Sequence, residues 1–564
     1  MKILRIVTFL ALAALVSCGE TGSQKVPGAD IVITNAKIWT GDPEKPWVEA
    51  MAIQDEYIVQ TGTNAEVSHL VEAAAEVIDA PEGIVVPGFI DSHVHFLDGG
   101  FALSSVKLRD ALTKAEFVAR IATYANTLMP GDWILNGDWD HKNWGGELPR
   151  HDWVDEVTPN NPLLINRLDG HMLLANAAAM KLANITADTP DVAGGKIVRD
   201  ADGNPTGIFK DNAMDLVLRA VPTPSAAQLD AALKAASEYT ASHGVTSVHD
   251  MSDWQSLATF RRAAAKSSLK TRIYQSVPLR DWRRLAKEVE LNGDGDHWLK
   301  IGGLKGFMDG SLGSHTAAFF QPFTDAPSDR GFFINEATDM ANWITSADQA
   351  GLHVLVHAIG DRAISTLLDI YADIDALDDP LAEYGKRDRR FRIEHAQHIA
   401  PQDFKRFADL NVIASMQPYH AIDDGRWAEE VIGPERAKST YAFKSLLDAG
   451  ANVAFGSDWY VAPPIPLTGI YAAVTRSTLD GEHPDGWVPE EKISVEDALT
   501  AYTRTAAYAS FDENVKGQLK PGLLADFIIL DKNLLEIAPE NIGNVRVMRT
   551  VVGGETIFQR KSRR

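Results

Sequence analysis

The chain has 564 residues, 45% of them hydrophobic and 23% charged, with a formal net charge of −23. That length and apolar share provide for a large core and exclude an intrinsically disordered chain. The acidic balance argues against a nucleic-acid partner, because a phosphate backbone needs a basic surface; beyond that it reads as a solvated acidic exterior.

At the N-terminus, Lys2 and Arg5 precede an apolar run from Ile6 to Val16, broken only by Thr8. The run is too short to span a bilayer and has the form of a signal-peptide core. It ends in Leu15-Val16-Ser17-Cys18, which resembles a bacterial lipobox, whose cysteine is lipidated and becomes the new N-terminus. Residues 1–18 are therefore read as a lipoprotein signal peptide, with Cys18 as the lipidation site and residues 19–29 as a flexible tether. Cys18 is the only cysteine, so no intramolecular disulfide can form. The expected location is the bacterial cell envelope, lipid-anchored and facing the periplasm. Gly19 is not the Asp that commonly retains such proteins at the inner membrane, which favours the outer membrane. The competing reading is a plain secretory signal with an incidental cysteine.

Asp30 to Trp39 alternates apolar and polar positions, as a half-buried strand does. Met51-Ala52-Ile53 and Tyr57-Ile58-Val59 flank a hairpin-like turn, and Asp526 to Leu530 and Val551 to Phe558 are strand-like near the other end. Residues 30–86 and 515–564 are therefore expected to form a small composite β-sandwich, with residues 87–514 inserted between them. That middle alternates strand-like and helix-like segments, the signature of βα units. Eight candidate strands are Gly88 to Phe96, Thr246 to Asp250, Arg272 to Val277, Ile301 to Asp309, His353 to Ala358, Arg392 to His395, Val412 to Gln417 and Val453 to Asp458. Eight units favour a (β/α)8 TIM-type barrel in an α/β chain. The first two strands are too far apart for one βα unit, so an inserted subdomain is expected at about 98–240, carrying Trp133, Trp139, Trp144 and Trp153.

His93 and His95 stand at the C-terminal end of the first strand, where barrel active sites lie, and two imidazoles on one strand make two legs of a metal site. An HxH pair alone is a weak signal. His357, His395 and Asp458 recur at the same end of later apolar strands, where an unpartnered polar group would be costly. Their convergence points to one metal centre.

The ordered motifs PGFIDSHVH at Pro87 to His95, DGHMLLANAAAM at Asp169 to Met180, GVTSVHDM at Gly244 to Met251 and GLKGFMDGSLGSHTA at Gly303 to Ala317 make a wider pattern. HAIGDRA at His357 to Ala363, EHAQ at Glu394 to Gln397, SMQP at Ser415 to Pro418, GSDW at Gly456 to Trp459 and LKPGLLADFIILD at Leu519 to Asp531 complete it. From about Asp30 to Phe558 the chain resembles the amidohydrolase superfamily, in particular the family-3 branch typified by N-substituted formamide deformylases. The resemblance implies a metal-dependent hydrolase that cleaves an amide-type, non-peptide C–N bond of a small molecule with metal-activated hydroxide. It implies divalent metal, zinc for preference, with His93 and His95 on one ion, His357 and His395 on a second, and a carboxylated Lys305 bridging the two. Without carboxylation a single ion is expected. Asp458 would be both ligand and proton shuttle, and His171, Asp309 and Trp459 would lie on the substrate side. The sequence departs from the family at His315, where Arg is common, and at Tyr460, near which Pro is frequent; both are expected to border the pocket. Trp139, Trp427 and Trp459 are candidates to wall an apolar substrate site.

Other readings are an ester, phosphoester or cyclic-amidine hydrolase on the same scaffold, and a non-catalytic lipid-anchored binding or regulatory relative. For Lys305 the alternative is an ordinary lysine paired with Asp309 or Asp250 beside a one-metal site. The sequence leaves a homo-oligomer open. The lipobox reading predicts that Cys18→Ser releases the protein from membranes or leaves its signal uncleaved. Fractionation and migration identical to the wild type would refute it.

Overall fold

Eight parallel strands succeed one another in chain order around the centre of the computed structural model, which describes residues 29–72, 74–377 and 387–561. They are β1 (Phe89–Val94), β2 (Val245–Asp250), β3 (Arg272–Pro278), β4 (Leu299–Phe307), β5 (His353–Ala358), β6 (Arg392–His395), β7 (Ile413–Met416) and β8 (Val453–Phe455). Each pairs in parallel with the next. Beyond the end of β8 the chain returns to β1: Asp458 N–H donates to the His93 carbonyl at 2.7 Å, and His95 N–H to the Trp459 carbonyl at 2.6 Å. The eight expected strands are thus all present, in a TIM-type barrel whose residues are buried on both faces, as parallel strands covered by helices must be. The candidate lipobox and tether up to Gly28 lie outside the described residues, and no helix among the described residues is long and apolar enough to cross a membrane.

Segments from the two chain ends form two further sheets. Ile31–Thr34 pairs with Ala50–Gln54 and Glu76–Asp79, while Phe527–Leu530 pairs antiparallel with Ile84–Pro87, the strand that leads directly into β1. Ile33, Ile53, Val85, Phe527 and Val551 share one apolar core, so the two ends hold each other. Two expected strands are corrected. Asp30 to Trp39 breaks at Asn35, whose φ of 55° is a left-handed conformation that asparagine tolerates, and its halves join different sheets. Val551 to Phe558 is a hairpin turning at Gly553 and Gly554, with φ of 53° and 75°.

Between β1 and β2 the insertion builds a five-stranded sheet of its own, from Ile134–Leu135 to Pro205–Asp211. Trp139 is fully buried in its core and donates its indole N–H to the Ile165 carbonyl at 3.0 Å. The helix Ala226–Ala241 then returns the chain to the barrel, opened by a Ser225–Gln228 capping box. It packs on the helix Phe96–Ala102 so closely that a Cβ on Gly100 would come within 2.2 Å of the Ala232 carbonyl oxygen. This contact sets the first helix over the C-terminal end of β1, beside the metal-ligating candidates.

Candidate metal centre and substrate cavity

His93, His95, Lys305, His357, His395 and Asp458 all line one cavity of about 540 Å³ at the C-terminal end of the barrel. The tightest group is His93, His395 and Asp458, whose ligand atoms all lie within 4.8 Å of one another. His95 Nε2 is 3.5 Å from Asp458 Oδ1. The His357 ring lies 4.5 Å from that of His395, and the His171 ring 4.8 Å from that of His357. Two of the tips bend sharply: His395 and Asp458 have φ of 72° and 59°, a left-handed conformation that costs a non-glycine residue energy and turns each side chain out of its strand.

Three imidazoles are each held at one nitrogen by an acceptor. His93 Nδ1 donates to Glu394 Oε2 at 2.6 Å, His395 Nδ1 to Gln417 Oε1 at 2.8 Å, and His357 Nε2 to the Gly310 carbonyl at 3.0 Å. Because each acceptor fixes the proton, the other nitrogen of each neutral ring carries a lone pair. His93 Nε2 in turn faces Asp458 Oδ1 at 3.4 Å and Lys305 Nζ at 3.2 Å. A lone pair facing a carboxylate oxygen with no proton between them is repulsive unless a cation joins them. The donor set therefore fits a divalent metal ion, with two imidazole nitrogens and one carboxylate oxygen in its tightest part.

The electrostatics agree. Burial, followed by the nearby Lys305 charge, lowers His93 to about 4. Burial and neighbouring imidazoles hold His357 and His395 well below the ordinary histidine value, in the neutral form that binds metals. Burial opposes ionisation of Asp458, but His93, His95 and His395 outweigh it and hold the carboxyl well below its usual range. Lys305 is lowered to about 8, chiefly by burial. Among the described residues it has no carboxylate partner within ion-pair distance. The pairings with Asp309 or Asp250 do not occur. Asp309 accepts backbone N–H bonds from Ala318, Ile359 and Gly360 at 2.7–2.9 Å, and Asp250 accepts from Phe96 N–H and the Ser252 hydroxyl.

Residues 76–558 match the amidohydrolase family. The chain belongs to that family. Among its relatives, Protein LONG AFTER FAR-RED 3 of Arabidopsis thaliana is 38% identical, over 94% of this chain and 92% of that protein. The N-substituted formamide deformylase of Arthrobacter pascens is 28% identical, over 94% and 98%. A solved structure of an uncharacterized metal-dependent hydrolase from Pyrococcus horikoshii superposes with a TM-score of 0.73 at 27% identity, covering 90% of this chain and 99% of that one.

Within this amidohydrolase, several residues lie elsewhere than the sequence suggests. Asp309 is fully buried and does not line the cavity; its oxygens are taken by backbone amides, which makes it a loop anchor. Trp459 also lies off the cavity: its ring sits over Gly99, where a Cβ would approach within 2.4 Å, and stacks on Tyr239 at 5.7 Å. His315 does not line the cavity either and bonds to Asp325 at 3.0 Å. Of the tryptophans named as wall candidates, only Trp427 borders the site, in a small polar recess that also touches His395 and Asp458. Tyr460 does line the main cavity, and so does His171, whose Nδ1 is 2.7 Å from Asp211 Oδ1.

Sequence reasoning passed over Glu394 and Gln417, which lie inside quoted motifs. The signal for Glu394 was the run Arg392-Ile393-Glu394, opposite charges two apart on an otherwise apolar strand. Arg392 Nε lies 2.8 Å from Glu394 Oε1, and both side chains are fully buried. Arg392 and His93 overcome the burial penalty and keep the Glu394 carboxyl well below its ordinary value. Removing its charge should loosen the His93 anchor. Glu394→Gln is expected to weaken metal affinity by about 10–100-fold, the range for such outer partners, as read by competition with a chromophoric chelator. A folded variant with unaltered affinity would show that His93 needs no anchor.

Proposed function

We propose that this amidohydrolase cleaves an amide-type C–N bond outside peptides, with the His93–His395–Asp458 centre as its catalytic core. The observation that carries this reading is the convergence of His93, His395 and Asp458, their ligand atoms within 4.8 Å of one another, in the wall of a cavity large enough for a small-molecule substrate. A divalent cation held by these donors supplies an acidified water and a Lewis acid for the scissile carbonyl. Asp458 takes the proton from the attacking water and returns it to the departing nitrogen, so the amine leaves neutral. His171, held by Asp211, faces the same space from the insertion and orients the substrate. The likeness to the formamide deformylase supports an amide over an ester. Zinc is among the ions that imidazole and carboxylate donors suit. The N-terminal lipobox supports a place on the periplasmic face of the envelope.

The same reading makes Lys305 a second-metal bridge. Its amine, buried and without a carboxylate partner among the described residues, would add to CO2 and release a proton, giving an anionic carbamate that would hold metal together with His93, His95, His357 and His395. Burying an unpaired ammonium among metal ions is costly, and carbamylation replaces that cation with an anion.

Two experiments test these points. The metal-loaded protein should release amine from members of a panel of N-substituted formamides, N-acyl amino acids and cyclic amides. Asp458→Asn should lower kcat at least roughly a hundredfold, the low end for general acid–base catalysis, while retaining some metal. If no amide is cleaved, or if the folded, metal-loaded variant keeps near-normal turnover, the proposed chemistry is wrong. For Lys305, protein equilibrated with isotopically labelled bicarbonate should show a carbamate resonance. Lys305→Ala should bind fewer ions and recover part of its activity with acetate or propionate. An unmodified amine in the fully active enzyme would leave a one-metal hydrolase.

A further inference from the structure

The cavity has a second charged feature, at its mouth. Arg219 follows the short helix Asp215–Leu218 of the insertion, and Arg280 lies in the turn Leu279–Asp281 that follows β3. Both are exposed and both line the cavity. Several other arginines are tied to carboxylates, as Arg167 is to Asp169, Arg272 to Asp526, Arg390 to Glu513 and Arg426 to Asp423. Arg219 and Arg280 have no such partner among the described residues. Asp215 is the one acidic residue on the cavity wall that neither Arg167, His171 nor the metal centre accounts for, and it pairs with neither arginine. Apolar side chains share the cavity wall with the polar ones, among them Met214, Met251, Phe307, Met340 and Trp343.

Two exposed guanidinium forks, apolar wall side chains and a buried cluster of metal-ligating candidates in one cavity make a pattern for an amphiphilic ligand that reaches from the surface inward. We propose that the substrate is an amphiphile whose far end carries a carboxylate, held at the cavity mouth by Arg219 and Arg280. Arginine suits this role because its planar donors match a carboxylate and stay charged at any physiological pH. The two arginines come from the insertion and from the barrel, so a ligand spanning them also fixes the insertion over the site. This inference rests on the proposed amide hydrolysis only for the chemistry at the inner end.

The test uses metal-loaded protein and a graded series of N-formyl ω-amino acids, each paired with the N-alkylformamide of equal length. Affinity is read by calorimetry, and kcat/KM wherever turnover occurs. At one chain length the acid should exceed its neutral partner by about tenfold, the least expected of a hydrogen-bonded charge pair, and the margin should shrink as salt rises. Arg219→Ala/Arg280→Ala should erase that margin, Arg219→Glu/Arg280→Glu should invert it, and Arg219→Lys/Arg280→Lys should retain part of it. Both positions are exposed, so folding is not at stake, and a circular dichroism spectrum checks it. Binding of the acid that depends on the arginines without any turnover would uphold this proposal and overturn formamide cleavage. Turnover of the neutral compounds with no acid preference at any length, an acid preference that survives the double substitution, or no binding by any member would overturn the proposal itself.

Discussion

The Glu394 carboxylate, fully buried between the Arg392 guanidinium and the His93 imidazole, is the contact from which the centre is built. Burying such charges costs several kcal/mol per ion unless each finds close partners. On the arginine side, Arg392 Nη2 donates to the Ser92 carbonyl and the Ser415 hydroxyl at 2.7 and 2.9 Å, tying β6 to β1 and β7. The network that satisfies the arginine also clamps three strands, and its last link decides which nitrogen of His93 carries the proton. Gln417 and the Gly310 carbonyl do the same for His395 and His357. Once those protons are fixed, the remaining lone pairs and the Asp458 carboxylate converge beside the Lys305 amine, an arrangement of donor atoms that a divalent cation would stabilise. Metal binding here follows from hydrogen bonds one step outside the ligands.

The barrel was legible because a parallel strand covered on both faces needs an unbroken apolar run, and a run that ends abruptly in His or Asp marks its catalytic end. His353–Ala358 and Arg392–His395 are found with the bounds read from sequence. The strand tips with His93, His357, His395 and Asp458 were legible for the same reason. What was not legible is direction. Asp309 lies just past β4 much as Asp458 lies past β8, but three backbone amides from the loops at Ala318 and at Ile359–Gly360 take its carboxylate, and it does not line the cavity. Trp459 is one residue past the candidate ligand Asp458, yet its ring fills the space left by Gly99. These outcomes depend on contacts between separate segments, from tens of residues apart for Asp309 to hundreds for Trp459, which local pattern does not encode. The break at Asn35 is different: asparagine's tolerance of positive φ was a local signal that the alternating pattern around it obscured.

The site divides between two parts of the chain. The barrel supplies all six metal-ligating candidates from strand ends, where packing on both sides leaves little freedom. The insertion supplies His171, Asp211 and Arg219, from hairpins and short helices laid over the opening. Chemistry that needs sub-ångström placement is thus on the rigid element, and recognition is on the part whose sequence can vary without disturbing the metal. The departures from the family pattern at His315 and Tyr460 lie on barrel loops outside the insertion: His315 pairs with Asp325, and Tyr460 lines the cavity beside His95.

A chain with a net charge of −23 is a poor host for an anionic ligand if that charge acts as a whole. It does not act as a whole. At physiological ionic strength the field of an exposed charge decays over about 8 Å, so acidic groups on the far surface contribute little at the cavity mouth. Much of the acidity is also committed locally, as Asp169 is to Arg167 and Asp526 to Arg272. What a ligand meets at the opening is set by the few groups within one screening length. At this opening they include two unpaired guanidinium groups, and long-range repulsion would slow the approach of an anion more than it would weaken its hold once bound.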